Sequence, residues 1–242
     1  MHMQKRLTTI LTELKTHAPF TLFGAFTGIV CMLLFRNLPQ QTSHRVFYVF
    51  HPAHVLLSAM VTAAMFELHS KKRKFIELLL VGFFGSIGIS TLSDSLIPYI
   101  GELLLGMHVH VHEHTGFAER AHIGFIEGWY IVIPAAIVGV LIAYFRPKTK
   151  VPHAGHVLLS TWASSFHMLM VMGGQLSVWE AVGSFGFLFL AVWLPCCFSD
   201  IIFPLLFVKP APSAGSERTC PERSRGSRRV GKQKRSATIR ER

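Results

Sequence analysis

Six long apolar stretches, joined by short polar connections, constrain the fold of this chain more than any other feature. They lie near residues 20–36, 47–66, 76–99, 123–145, 155–174 and 178–207. A helix that crosses the hydrocarbon core of a bilayer needs about 20 mostly apolar residues and satisfies its own backbone groups. Only 15% of the 242 residues are charged, too few to coat a water-soluble globule. The sequence therefore predicts an all-α integral membrane protein with about six transmembrane helices.

The distribution of Lys and Arg predicts how these spans are oriented. The N-terminal segment and the connections after spans two and four hold ten of these residues, and the alternate connections hold three. Cytoplasmic loops carry the excess of positive charge. Residues 1–19 show no signal-peptide pattern and are expected to form a cytoplasmic segment. We therefore expect a multi-pass protein of the cell (plasma or inner) membrane with both termini in the cytoplasm.

The C-terminal residues 209–242 differ from the rest of the chain. They hold eleven Lys and Arg against three Glu and are rich in Ser, Gly and Pro. Such a composition cannot bury a core, so a disordered basic tail is expected. Attraction to anionic lipid explains its charge without a specific nucleic-acid partner. The expected partners are the lipid bilayer and a metal cation, and homo-oligomerisation is left open.

The two halves of the chain share motifs in the same order. The segment HPAHVLLS at 51–58 is answered by HAGHVLLS at 153–160, and the pattern SDxxxP at 93–98 recurs at 199–204. The repeats would occupy 20–105 and 123–208, with three spans each. Because three is odd, the second copy enters the membrane from the opposite side. The sequence therefore predicts two three-helix repeats of inverted topology.

Ionisable side chains recur inside the spans of both copies, where each costs about 3 kcal/mol and is functional or paired by default. His and carboxylate ligands suit transition metals. We expect two related metal sites, the first near the outer surface and the second near the inner one. The first comprises His51, His54 and Asp94, and the second His153, His156 and Asp200. Polar residues on the same helix faces predict a pathway formed by Ser58, Ser160, Ser164 and His167.

The connection at 106–122 is unusually rich in histidine. It contains His108, His110, His112 and His114, and the predicted orientation places it outside the cell. Tracts of this kind commonly bind metal, so these four residues are added to the predicted metal ligands. Glu127 and Glu180, near the outer ends of spans four and six, are expected to be ordinary solvated carboxylates.

The function predicted best is transport of a divalent transition-metal cation, with Zn, Ni, Co, Mn or Fe as substrate or ligand. An enzymatic function is expected less than transport, because no HExxH-type motif is present. Three alternatives stay open: an intramembrane metal-dependent hydrolase, a haem-binding electron carrier, and a permease for a non-metal solute. Neither a phosphate loop nor a dinucleotide motif occurs, so ion gradients or a partner would supply the energy.

Overall fold

The computed structural model describes residues 2–70, 74–107, 122–147, 150–172, 176–198 and 203–207. These residues form helices and connections without strands, which confirms the predicted all-α class for the described part of the chain. The helices are α1 (His2–Phe35), α2 (Gln40–His69), α3 (Phe75–Thr91), α4 (Ile97–Leu105), α5 (Gly124–Glu127), α6 (Trp129–Phe145), α7 (Lys150–Val171), α8 (Val178–Cys197) and α9 (Phe203–Leu206). A π-helical turn, Leu92–Leu96, joins α3 to α4.

Four helical stretches in the described residues are long and apolar enough to cross a membrane: His17–Phe35, Gln40–His69, Phe75–Leu105 and Val178–Cys196. The predicted membrane class is thus supported. α6 is apolar but has only 17 residues. α7 has 22 residues, but its three His and four Ser or Thr lower its hydropathy. The count of six spans and the inverted repeat stay predictions.

The helices α2 and α7 form the interior of the bundle. Residues 163–170 of α7 are all buried, and 61% of the most apolar window of α2 is buried. By contrast, only 28% of the corresponding windows in α1 and α8 is buried, and large side chains such as Phe26 and Trp179 are exposed. Hence the polar helix α7 is shielded by its apolar neighbours, whose outer faces expose large apolar side chains.

Two ring contacts fix the relative direction of these central helices. Phe47 meets His167 at a centroid distance of 5.5 Å, and His54 meets His156 at 5.6 Å. As the residue number rises along α2, it falls along α7. The two helices are therefore antiparallel.

Both helices that carry the first predicted site are longer than the sequence suggested, which changes the depth of the site. α2 begins at Gln40, so His51 lies about 16 Å inside the helix at a rise of about 1.5 Å per residue. Asp94 lies a similar distance before Leu105, because Pro98 occupies the first turn of α4, where its missing N–H is tolerated and the helix continues. His51 and Asp94 therefore lie several turns inside their helices and are fully buried. The depth of the site relative to a membrane surface stays a prediction.

Gly82 allows α3 to approach α2 and α6 closely. A Cβ added to Gly82 would lie 2.6 Å from Val140 Cγ2 and 3.0 Å from Ala63 Cβ, whereas one added to Gly88 on the same helix would meet nothing within 4 Å.

Gly82→Ala should therefore lower the free energy of unfolding in detergent by about 1–3 kcal/mol, because overpacking displaces neighbouring side chains. The matched control Gly88→Ala should leave stability unchanged or raise it by up to about 1 kcal/mol through helix propensity. Equal stabilities for the two variants, measured by denaturant unfolding, would contradict this account of the packing.

Candidate functional site

The carboxylate of Asp94 is the centre of a buried polar cluster. His51 Nδ1 and His54 Nδ1 lie 2.9 and 2.7 Å from Asp94 Oδ2. The hydroxyls of Ser93 and Ser160 donate to Oδ1, each at 2.8 Å. All five side chains are fully buried. We call them the Asp94 cluster.

Local helix geometry brings these groups together. His51 and His54 are separated by one turn of α2, which places both on one face. Asp94 lies in the π-helical turn, where the N–H of Ile97 bonds to the carbonyl of Leu92, five residues back. Ser164 of α7 donates to the carbonyl of Ser93 at 3.0 Å. The irregular backbone before Pro98 is therefore held by a side chain from the second half of the protein.

Four donors fill the four lone-pair positions of an ionised Asp94 carboxylate. With both imidazoles donating from Nδ1, their Nε2 atoms become acceptors. Neither His51 Nε2 nor His54 Nε2 has a hydrogen-bond partner among the described residues. A His whose Nδ1 is bonded to a carboxylate while Nε2 offers a lone pair has the arrangement found in metal-ligating histidines.

The histidines of the second copy continue the series beyond His54. His156 is fully buried against His54, and His153 lies 5.1 Å from His156 between ring centroids. His153 in turn contacts His17 of α1 at 4.5 Å. The two predicted histidine pairs are thus in contact through His54 and His156, rather than separated at opposite mouths. Asp200 lies outside the described residues.

A second buried pair was missed by sequence reasoning. His167 Nδ1 lies 2.7 Å from Glu102 Oε1, and both side chains are fully buried. The sequence had suggested His167 but not Glu102, because the third span was ended at residue 99. A lone carboxylate in the apolar run IPYIGELLLG was the available signal.

A third group lies at the end of the bundle where α2 begins. His44 Nε2 is 3.4 Å from Glu127 Oε2, and His122 Nδ1 is 3.5 Å from Glu127 Oε1. The hydroxyl of Tyr48 donates to Oε2 at 2.7 Å. Glu127 is exposed, as expected for a solvated carboxylate, but it also contacts two imidazoles and a phenol. We call these four residues the Glu127 cluster.

Glu180, the other carboxylate expected to be solvated, has a different structural role. It forms a capping box with Ser177 at the start of α8. The loop histidines His108, His110, His112 and His114 lie outside the described residues.

Two of the predicted pathway serines differ in their surroundings. Ser160 donates to Asp94, whereas the hydroxyl of its repeat counterpart Ser58 is buried without a hydrogen-bond partner in the described part of the chain. Ser164 donates to the carbonyl of Ser160 at 2.8 Å as well as to that of Ser93.

Comparisons of the chain with protein-family models, curated proteins and solved structures found no match. The function must therefore be argued from the residues of this chain alone.

Ser160→Ala should lower the free energy of unfolding by about 1–3 kcal/mol, because it removes a donor from a buried charged acceptor. Ser58→Ala, the matched change in the other copy, should shift stability by less than about 0.5 kcal/mol, since its hydroxyl makes no bond there. Denaturant unfolding in one detergent measures both variants. A Ser58 effect as large as that of Ser160 would contradict the assigned hydrogen bonds.

Proposed function

We propose that this protein transports a divalent transition-metal cation across a membrane, along a line of imidazole and carboxylate groups between α2 and α7. The proposal depends on one observation above all, the length of that line. Beginning with the Glu127 cluster, the line contains His44, His122, His167, His51, His54, His156, His153 and His17. We call it the histidine series.

Successive members of the histidine series are close. The centroid distances are 5.9 Å from His44 to His122 and 6.1 Å from His122 to His167. Phe47 bridges the next step, since its ring contacts His167 at 5.5 Å and stacks on His51 at 5.3 Å. Asp94 then joins His51 to His54. On either side of Phe47, ligands at such intervals would let an ion pass by exchange from one imidazole to the next. At Phe47, which offers no ligand atom, passage would require its ring to move.

The charge of the interior also favours a cation. Asp94 and Glu102 are fully buried, and the fully buried side chains of the described residues include no Lys or Arg. With neutral imidazoles and ionised carboxylates, Asp94 and Glu102 carry two negative charges, which are expensive away from water unless they are compensated. One divalent cation balances both. Imidazole nitrogen selects Zn, Co, Ni and Fe(II) over the all-oxygen preference of Mg and Ca.

The inverted repeat is part of this proposal. A twofold axis in the membrane plane would exchange His54 with His156, its counterpart 102 residues later, and would make α2 and α7 antiparallel. The edge-to-face contact of His54 with His156 and the antiparallel helices support such an axis, which would pass between these two rings. The positive-inside rule would then place the Glu127 cluster outside the cell and His153 inside.

Movement of protons alone is the second candidate. The 2.7 Å bond from His167 to Glu102 and the His51–Asp94–His54 bridge are short enough for proton exchange. The haem alternative is disfavoured, because His54 and His156 are in direct ring contact and leave no slot for a porphyrin between them.

The proposal is tested with purified protein in vesicles that contain a trapped metal-sensitive dye, under an imposed Zn²⁺ or Co²⁺ gradient. Wild type should give a flux well above that of empty vesicles. Asp94→Asn and the double variant His54→Gln/His156→Gln should each lower it at least tenfold, since each removes a group from the middle of the series.

The matched control is His69→Gln. His69 is exposed at the far end of α2, and among the described residues its ring bonds to the Met65 carbonyl of its own helix, so its replacement should leave the flux unchanged. Absence of metal flux in wild type would refute metal transport, and a proton flux without metal would establish the second candidate. Equal loss in the His69 variant would refute the assigned path.

A further inference from the structure

The Glu127 cluster has the composition and spacing of a metal site separate from the buried interior. Three of its four members, His44, His122 and Glu127, have ligand atoms that all lie within 4.8 Å of one another, and this is the group of this kind found within the described residues. It joins three parts of the fold: His44 comes from the first turns of α2, Glu127 ends α5, and His122 precedes α5. None of the three was among the ligands predicted from sequence.

We infer that His44, His122 and Glu127 bind one divalent ion of the Zn²⁺ class in a tetrahedral site with an open fourth position. Its role as the place where the transported ion is captured rests on the proposed function, whereas the binding itself does not. Two imidazoles and one carboxylate with a free position form a ligand set that Zn²⁺ accepts.

The distances place each imidazole beside the Glu127 carboxylate. His44 Nε2 lies 3.4 Å from Oε2 and His122 Nδ1 lies 3.5 Å from Oε1, so the two contacts involve different carboxylate oxygens. Ligand atoms bound to Zn²⁺ at about 2.0–2.1 Å in a tetrahedron lie about 3.3–3.4 Å apart. One ligand atom from each residue lies within 4.8 Å of the other two, so small side-chain rotations would bring all three to one ion. The contact of His44 with Oε2 is a long hydrogen bond, which a bound ion would replace.

Tyr48 supplies the supporting interaction that a metal site needs. Its hydroxyl donates to Glu127 Oε2 at 2.7 Å, and its ring lies 4.7 Å from that of His44. A single residue therefore orients two of the three ligands. His122 has a φ of +42°, a strained conformation for a non-glycine residue, and such strain often occurs where a side chain must point at a functional group.

Partial exposure distinguishes this site from a closed structural one. The side chains of His44, Glu127 and His122 are 41%, 29% and 21% exposed, whereas those of His51, Asp94 and His167 are fully buried. His122 also directly follows the histidine-rich connection in sequence and contacts the ring of His167. An ion bound here would have solvent on one side and the interior on the other.

The test uses the full chain in detergent with His108, His110, His112 and His114 all replaced by Gln, so that this tract does not contribute. Equilibrium dialysis counts bound Zn²⁺, and the visible spectrum of bound Co²⁺ reports coordination geometry. Glu127→Gln and His44→Gln should each remove one equivalent or weaken it at least tenfold. Tyr48→Phe should weaken the same equivalent by about 10–100-fold, as loss of a supporting hydrogen bond does.

Glu180→Gln is the matched control. Gln preserves its capping box, and the hydrogen bonds of Glu180 within the described residues are those of that box, so metal binding should be unchanged. Identical titrations of the Glu127 and Glu180 variants would overturn the site. Retained folding of each variant is checked by thermal unfolding.

The reciprocal variant His51→Gln/His54→Gln separates this site from the proposed transport. It should lose metal flux and keep the Zn²⁺ equivalent at the Glu127 cluster. If wild type binds Zn²⁺ at the Glu127 cluster but gives no metal flux, transport is refuted and the metal site is retained. If wild type gives metal flux but lacks this Zn²⁺ equivalent, the metal site is refuted and transport is retained.

Discussion

The four-donor shell around the Asp94 carboxylate is the interaction on which the rest of the bundle depends. A carboxylate removed from water is costly unless every lone pair is bonded, and a partly bonded one costs more than an apolar replacement. The donors come from α2, α7 and the π-helical turn, so three separate elements must meet at one point. This requirement fixes the register of α2 against α7, and the apolar helices then pack around the fixed pair.

The same shell determines the chemistry of the histidines. An acceptor at Nδ1 fixes the tautomer, and the second nitrogen of His51 and His54 then presents a lone pair to the interior. Had the acceptor been a neutral carbonyl, the imidazoles would be weaker bases and poorer ligands. The oxygens of the carboxylate are occupied by these hydrogen bonds, so under the proposed function it would act on a cation through the imidazoles. This differs from the sequence-based expectation that Asp94 would itself be a metal ligand.

Sequence reasoning succeeded where the signal was local. It failed where a prediction depended on knowing the residue at which a helix begins or ends. Apolar runs identify the membrane class, and the HxxH spacing places His51 and His54 on one face because helix geometry is periodic. Glu102 was missed because the third span was ended six residues too early, and His44 because the second span was begun seven residues too late. The mean hydropathy of the sequence falls gradually towards a helix end, so it does not reveal a buried polar residue there. The contact of Ser160 with Asp94 depends on helix register, which no pattern within one copy specifies.

The proposed repeat has a consequence for how access to the interior would alternate. A residue pair on a twofold axis keeps its position when the two copies exchange conformations, so His54 and His156 would stay central. His51 and His153 would instead exchange surroundings. In this structure His51 is fully buried, whereas its counterpart His153 is partly exposed. If the proposed repeat holds, the two copies differ in conformation in the way that inverted repeats do when one end of a transporter is closed and the other is more open. The proposed symmetry would then predict a second state with His51 exposed and His153 buried.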